Sequence, residues 1–224
     1  MTKRTEARPA THDFLAACRG SKVRRTPVWI MRQAGRYQPE YRALRKKHTF
    51  MELCKKPELS TQVTLLPVEQ LGVDAGILFS DILIPVEAMG VPVEFTEAKG
   101  PVLARPVRTA RDVARLVVPD PHETMPFVME AVRMIRQGLA GKVPLIGFSG
   151  APWTLASYMV EGGGSKSYVG IKQMMFKEPA LYRSLMQKIT ATVEKYLLAQ
   201  VEAGAEAVQL FDSWAGALSP RDYR

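Results

Sequence analysis

Cysteine is scarce. Cys18 and Cys54 are the only two in 224 residues, too few for a disulfide scaffold and in keeping with a reducing cytoplasm. Three histidines, His12, His48 and His122, have no Cys or His partner at metal-ligand spacing. There is also no C-x-x-C, so the sequence offers no metal site. No apolar run approaches the roughly eighteen residues of a membrane span, and mean hydropathy is −0.08. Met1–Arg8 is polar and no apolar stretch follows it, so no secretory leader is expected. No G-x-G-x-x-G, P-loop or G-x-S-x-G is present, which removes the usual signatures of dinucleotide binding, nucleotide binding and serine hydrolysis. Repeats, low-complexity tracts and linkers are lacking too, and a single domain over residues 1–224 is expected. Acidic residues are thin at the start. The first 56 positions hold four of the 22 Asp and Glu but fifteen of the 31 Lys and Arg, so the net +9 is an N-terminal property. Such a region can attract a nucleic acid, an anionic membrane or a small polyanion, or can be a solvated surface. Its aromatics are not interleaved with the basic residues as an RNA-binding face requires.

What the chain does contain is alternation. Thr26–Met31, Ala75–Phe79, Val143–Phe148 and Ala207–Phe211 are short runs, apolar on both faces, as in strands of a buried parallel sheet. Helical spacing predicts helices over Pro57–Leu71, His122–Leu139 and Pro179–Ala203, each followed closely by a glycine stop. Val91–Phe95 and Pro101–Val107 flank a Glu97–Gly100 turn and predict a hairpin. Gly162–Gly164 is expected to be a mobile loop, and Cys18 and Cys54 are expected to be packing residues on helices. Strand–helix alternation leaves an open doubly wound sheet or a (β/α)8 TIM barrel. Four runs deliver polar residues just past their C-terminal ends, as barrel enzymes do, and this favours the barrel. A full barrel takes about 250 residues. With only about four strong strands, the chain reads as the N-terminal part of one, ending in the start of another helix.

Four places could carry chemistry. Arg32 and Arg36 lie four apart around Gly35, and could grip carboxylates or phosphates, or be a solvated pair. Asp81 follows the AGILFS run and could be a cleft anion, if burial does not raise its pKa, or a helix cap. Tyr158 lies nearly two turns into the helix opened by Pro152; it could donate a hydrogen bond or be a core tyrosine. Ser213 could contact a ligand or cap the next helix.

The run PVWIMRQAGRYQPEY (Pro27–Tyr41) resembles the N-terminal signature of uroporphyrinogen decarboxylases. FSDILIP (Phe79–Pro85), GFSGAPWTLASYMVEGGGS (Gly147–Ser165) and QLFDSWAG (Gln209–Gly216) are similar to that family in the same order, and the likeness runs from about Phe14 to the end. It implies a (β/α)8 barrel that forms a homodimer in the cytoplasm. It also implies a cofactor-free decarboxylation of the four acetates of uroporphyrinogen III to give coproporphyrinogen III, with no nucleic acid or membrane partner. Carried over by motif, Arg32, Gln33, Ala34, Gly35 and Arg36 would contact substrate, and Asp81 would be the central catalytic carboxylate. Tyr158 and Ser213 would be further contacts, with Ile77 and Phe211 as apolar neighbours. Family members are longer, and their final strands carry a glycine-flanked histidine with no counterpart here. Low or no activity of this chain by itself is therefore expected. A zinc-dependent methyltransferase branch of the same fold and a non-catalytic anion- or nucleic-acid-binding module are the alternatives.

Overall fold

The structure, a computed structural model, describes residues 12–96 and 100–224. Three parallel strands form its main sheet: β1 (Gly76–Ile77), β4 (Leu145–Gly150) and β5 (Ala207–Phe211), in the order β1-β4-β5. Between β1 and β4 the chain makes an antiparallel pair, β2 (Val93–Thr96) and β3 (Gly100–Leu103). Helices Pro57–Leu71, Pro126–Leu139 and Pro179–Ala203 connect and cover the parallel strands. Parallel strands that neighbour one another in chain order, with helical crossovers between them, are the repeating unit of a (β/α)8 barrel. Among the described residues no helix is long and apolar enough to cross a membrane.

Local chemistry accounts for the helix limits. Pro57 and Pro179 sit at first-turn positions, where a missing N–H is harmless, and Gly72 and Gly204 adopt positive φ at the stops. The helix predicted over His122–Leu139 is instead two. Asp120 caps Pro121–Thr124, and a second helix opens at Pro126, whose ring and missing N–H interrupt a continuous one. The hairpin forms as expected, although its turn, residues 97–99, lies outside the described residues, as does the polar Met1–Arg8 segment. Gly162–Gly164 is no free loop. Gly162 accepts a hydrogen bond from the Leu103 amide at 2.9 Å, and Gly163 bridges to Val102.

Two strand expectations are corrected. Thr26–Met31 is extended but is no strand, with Val28, Ile30 and Met31 exposed. Only Val28 mimics a ladder, donating to the Asp74 carboxylate at 2.7 Å and accepting from the Asp74 amide at 2.8 Å. Asp74 also pairs with Arg25 at 2.8 Å, so one side chain fastens both Arg25 and Val28 ahead of β1. The second correction concerns β5, whose Val208 and Leu210 are each 47% exposed, so that only its Ala207, Gln209 and Phe211 face is covered. All six residues of β4, by contrast, are buried.

β4 outlasts β1, and a side chain takes over where β1 ends. The Ile146 carbonyl faces β1 and accepts from Leu78. Phe148, two residues on, faces the same way, and the Gln200 amide bonds both its N–H, at 2.8 Å, and its carbonyl, at 2.9 Å. Gly147 leaves the room this needs, because a Cβ there would come within 2.6 Å of Gln200 Oε1. Of the cysteines, Cys54 is buried packing, whereas Cys18 ends its helix exposed.

Candidate active site

The polar residues gather past the C-terminal ends of the strands. After β1, two buried hydroxyls of the Pro57–Leu71 helix seize the departing backbone: Ser60 donates to the Phe79 carbonyl at 2.7 Å, and Thr64 accepts from the Phe79 amide at 2.9 Å. This fixes the turn that carries Ser80 and Asp81. Asp81 Oδ1 accepts from the Leu83 amide at 2.8 Å, at the entry to helix Ile84–Ala88. This bond closes a turn ahead of the helix, whose N-cap is Leu83 and which has no side-chain cap, so Asp81 is not its cap; the second oxygen of Asp81 has no hydrogen-bond donor among the described residues. Burial pushes its carboxyl up to about 6, against the opposing pull of the Leu83 amide and the Arg32 charge. Above that pH it is an anion, as the sequence requires for an electrostatic role, but one held at a cost.

Behind Asp81 lies a dry layer. The Cys54 thiol is raised well above its ordinary range by burial and then by the Asp81 charge. Tyr196, which is fully buried, is raised by the same burial and stands near the Ser80 hydroxyl. Sequence inspection did not single out Tyr196 or Ser80. A tyrosine at helical spacing gives no sign that it backs a carboxylate more than a hundred residues earlier in the chain.

The Arg32 charge acts on Asp81, and both act on Tyr158. Its phenol is raised first by burial and then by the Asp81 charge, with Arg32 opposing. These three are thus brought together. Tyr158 is half-buried on helix Pro152–Glu161, and its ring leans on Trp214 at 5.9 Å. Trp214 follows Ser213 in the turn after β5. That turn is secured by Thr154, whose hydroxyl donates to Asp212 at 2.8 Å and accepts from the Trp214 amide at 3.2 Å. Trp153 Nε1 adds a hydrogen bond to the Trp214 carbonyl at 3.0 Å. Ser213 itself is exposed; it does not cap the 3-10 turn Ala215–Ala217, whose first flanking residue is Trp214.

The arginine loop follows the extended Thr26–Met31 segment. Arg32 has a φ of +61°, unusual for a residue with a Cβ. Arg32 and Arg36 are exposed, and among the described residues their guanidiniums make neither a hydrogen bond nor an ion pair. The charge of Arg36 bears on Tyr41. Gln33 behaves differently from its neighbours. Its side chain is buried, donating to the Ala75 carbonyl at 3.2 Å and accepting from the Ile30 amide at 3.3 Å, so its amide serves the fold. Ala34 packs with Tyr41, Leu53 and Val63. Ile77 lies beside Ile146, and Phe211 meets Phe148 edge-on at 5.5 Å and Trp29 at 6.4 Å, an apolar floor beneath the polar groups.

No group of three or more His, Cys, Asp or Glu side chains converges among the described residues. The arrangement brings together one exposed arginine, one carboxylate of raised pKa and one half-buried phenol, Arg32, Asp81 and Tyr158, while among the described residues no contact links the exposed Arg36 and Ser213 to them.

The chain is 59% identical over 210 residues to the uroporphyrinogen decarboxylase of Geobacter metallireducens, covering 94% of this chain and 61% of that protein. It is 58% identical over 216 residues to the uroporphyrinogen decarboxylase of Syntrophotalea carbinolica, covering 96% and 62%. The chain thus spans about 61% of the length of the curated relatives it matches. Among solved structures, a methyltransferase from Methanosarcina mazei superposes with a TM-score of 0.74 at 24% identity, over 95% of this chain and 62% of that one, a likeness of fold. The family profile of uroporphyrinogen decarboxylase (URO-D) matches residues 9–224, and the chain belongs to that family.

Proposed function

We propose that this chain carries substrate-binding and catalytic groups of a carboxy-lyase that converts the four acetate side chains of uroporphyrinogen III to methyls, giving coproporphyrinogen III. The observation that carries this reading is Asp81: a carboxylate with a raised pKa, within electrostatic reach of Arg32 and Tyr158. Carbon dioxide can leave an acetate only if its electron pair has a destination. Protonating the adjacent pyrrole α-carbon makes a cationic ring that accepts the pair, so the substrate supplies the sink that a cofactor supplies elsewhere. Cleavage of the C–C bond then returns the electrons to the ring and leaves an exocyclic methylene, which a second proton converts to methyl, and loss of the proton first added at the α-carbon restores the neutral pyrrole. Asp81 as an anion would accept hydrogen bonds from pyrrole N–H groups and stabilise the cation. Arg32 and Arg36 would take substrate carboxylates in charge-assisted pairs, with Tyr158 and Ser213 as donors. Gln33, Ala34 and Gly35 would shape the loop beneath them, and Ile77 and Phe211 would lie under the ring. We infer, from the family, one barrel domain, a cytoplasmic homodimer, and no nucleic-acid partner.

The test is anaerobic incubation with uroporphyrinogen III, followed by oxidation and separation of products by carboxylate number. It is run on the chain and on a fusion completing it with the remaining part of the Geobacter metallireducens relative. Coproporphyrin should accumulate with the fusion; none from a folded fusion refutes the reading. Arg36→Lys, which loses the planar fork, should weaken uroporphyrin binding roughly tenfold.

A further inference from the structure

Several regions outside the proposed chemistry present themselves. The open groove of about 610 Å³ between Ala110–Ala114 and Lys177–Ser184 is shallow and holds no converging polar groups. The bare Val208 and Leu210 face has nothing on it to specify a partner. The bracing of the arginine loop carries further.

Two arginines that hold one rigid macrocycle must keep a fixed separation, or binding must first order the loop. In this loop the Gly35 peptide is gripped at both ends by one residue. Gly35 N–H donates to Gln38 Oε1 at 3.1 Å, and the Gly35 carbonyl accepts from the Gln38 amide at 3.0 Å. Gln38 is only 1% exposed. Its Nε2 donates to Gln70 Oε1 at 2.9 Å, at the end of the Pro57–Leu71 helix. Gln70 also bears on Glu40, whose carboxyl is held below its ordinary range first by its own backbone amide and then by Gln70. The relay runs in one direction, which fixes both amide orientations. Arg42 Nη1 closes the far side, donating to the Arg36 carbonyl at 2.9 Å and the Tyr37 carbonyl at 3.0 Å. The Tyr37 hydroxyl donates to the Gln33 carbonyl across the loop.

We propose that Gln38 is a positioning residue, locking the Gly35 peptide so that Arg32 and Arg36 form a preset clamp for a polycarboxylate macrocycle. The inference rests on the decarboxylase reading above. Gln38 touches no substrate in this scheme. It acts through Gly35, and Gln70 acts through Gln38.

The experiment titrates the completed fusion with uroporphyrin, the oxidised octacarboxylate, and follows amide hydrogen exchange at Gly35. Gln38→Met keeps the bulk and removes the acceptor. It should raise Kd about tenfold, the equivalent of one hydrogen bond, and speed Gly35 exchange by a similar factor. Gln38→Glu keeps an oxygen for the Gly35 amide and should restore affinity to within about threefold of wild type, a rescue that a space-filling role would not produce. Should Gln38→Met fail to fold, Gln70→Ala, at an exposed position, decides: Kd raised about threefold supports the proposal, and unchanged Kd overturns it. A folded Gln38→Met fusion that binds like wild type overturns this inference alone. A wild-type completed fusion that does not bind uroporphyrin overturns the decarboxylase reading and the inference with it.

Discussion

Replacing Asp81 by Asn should make the protein more stable, and only above a definite pH. Burial raises the carboxyl from 3.8 to about 6 in the folded chain. A group whose folded pKa is raised binds its proton more tightly when folded. Its contribution is therefore neutral below about pH 4 and becomes a penalty as pH rises through 6. At about 1.4 kcal/mol per unit, the full penalty is about 3 kcal/mol. Asp81 keeps some solvent access, which trims the expectation to about 2 kcal/mol. Asparagine keeps an oxygen for the Leu83 amide, now at 2.8 Å from Asp81 Oδ1, so that bond need not be lost. Urea unfolding followed by circular dichroism, at pH 8 and at pH 4, gives the comparison. Asp81→Asn should be more stable by about 2 kcal/mol at pH 8, with the advantage shrinking to well below about 1 kcal/mol at pH 4. The same variant should keep uroporphyrin binding and lose most turnover in the completed fusion. Equal stability at pH 8, or an equal gain at both pH values, would refute the claim that this carboxylate is held ionised against the fold.

Two further outcomes follow from the packing. Gln200→Leu should cost about 2–4 kcal/mol in urea unfolding, since it strands the buried N–H and carbonyl of Phe148; a cost below about 1 kcal/mol would mean that β4 finds other partners there. Asp74→Ala should leave global stability little changed but speed exchange of the Val28 amide roughly tenfold, because among the described residues that amide's only acceptor is the Asp74 carboxylate. Since Arg25 holds the Asp74 carboxyl below its ordinary range, the wild-type tether should persist at neutral pH and weaken on acidification.

Elements with local punctuation were legible from the sequence. Pro57–Leu71 and Pro179–Ala203 begin and end where proline and glycine dictate. Pro126 offered the same kind of signal within His122–Leu139, and periodicity overrode it. Thr26–Met31 was misleading because β propensity describes a chain that can be extended, whereas a strand needs a neighbour, and Asp74, some 46 residues on, supplies one backbone unit of it. The motif residues of the site were readable through their family likeness, and bottom-up spacing alone left each beside a plainer alternative. The braces were not. Gln38 and Thr154 are ordinary polar residues whose partners, Gln70 and Asp212, become neighbours only when the helices dock.

Thr154 also bears on how this protein can tolerate change. One hydroxyl engages a carboxylate and an amide of the same turn, while its own helix presents Tyr158 four residues later. The phenol and Ser213 are thereby mounted on a common chassis, and neither can shift without dragging the other. Sequence drift at position 154 would then be silenced not because that threonine meets a ligand, but because a missing methyl or oxygen there would throw two separate contacts out of alignment at once.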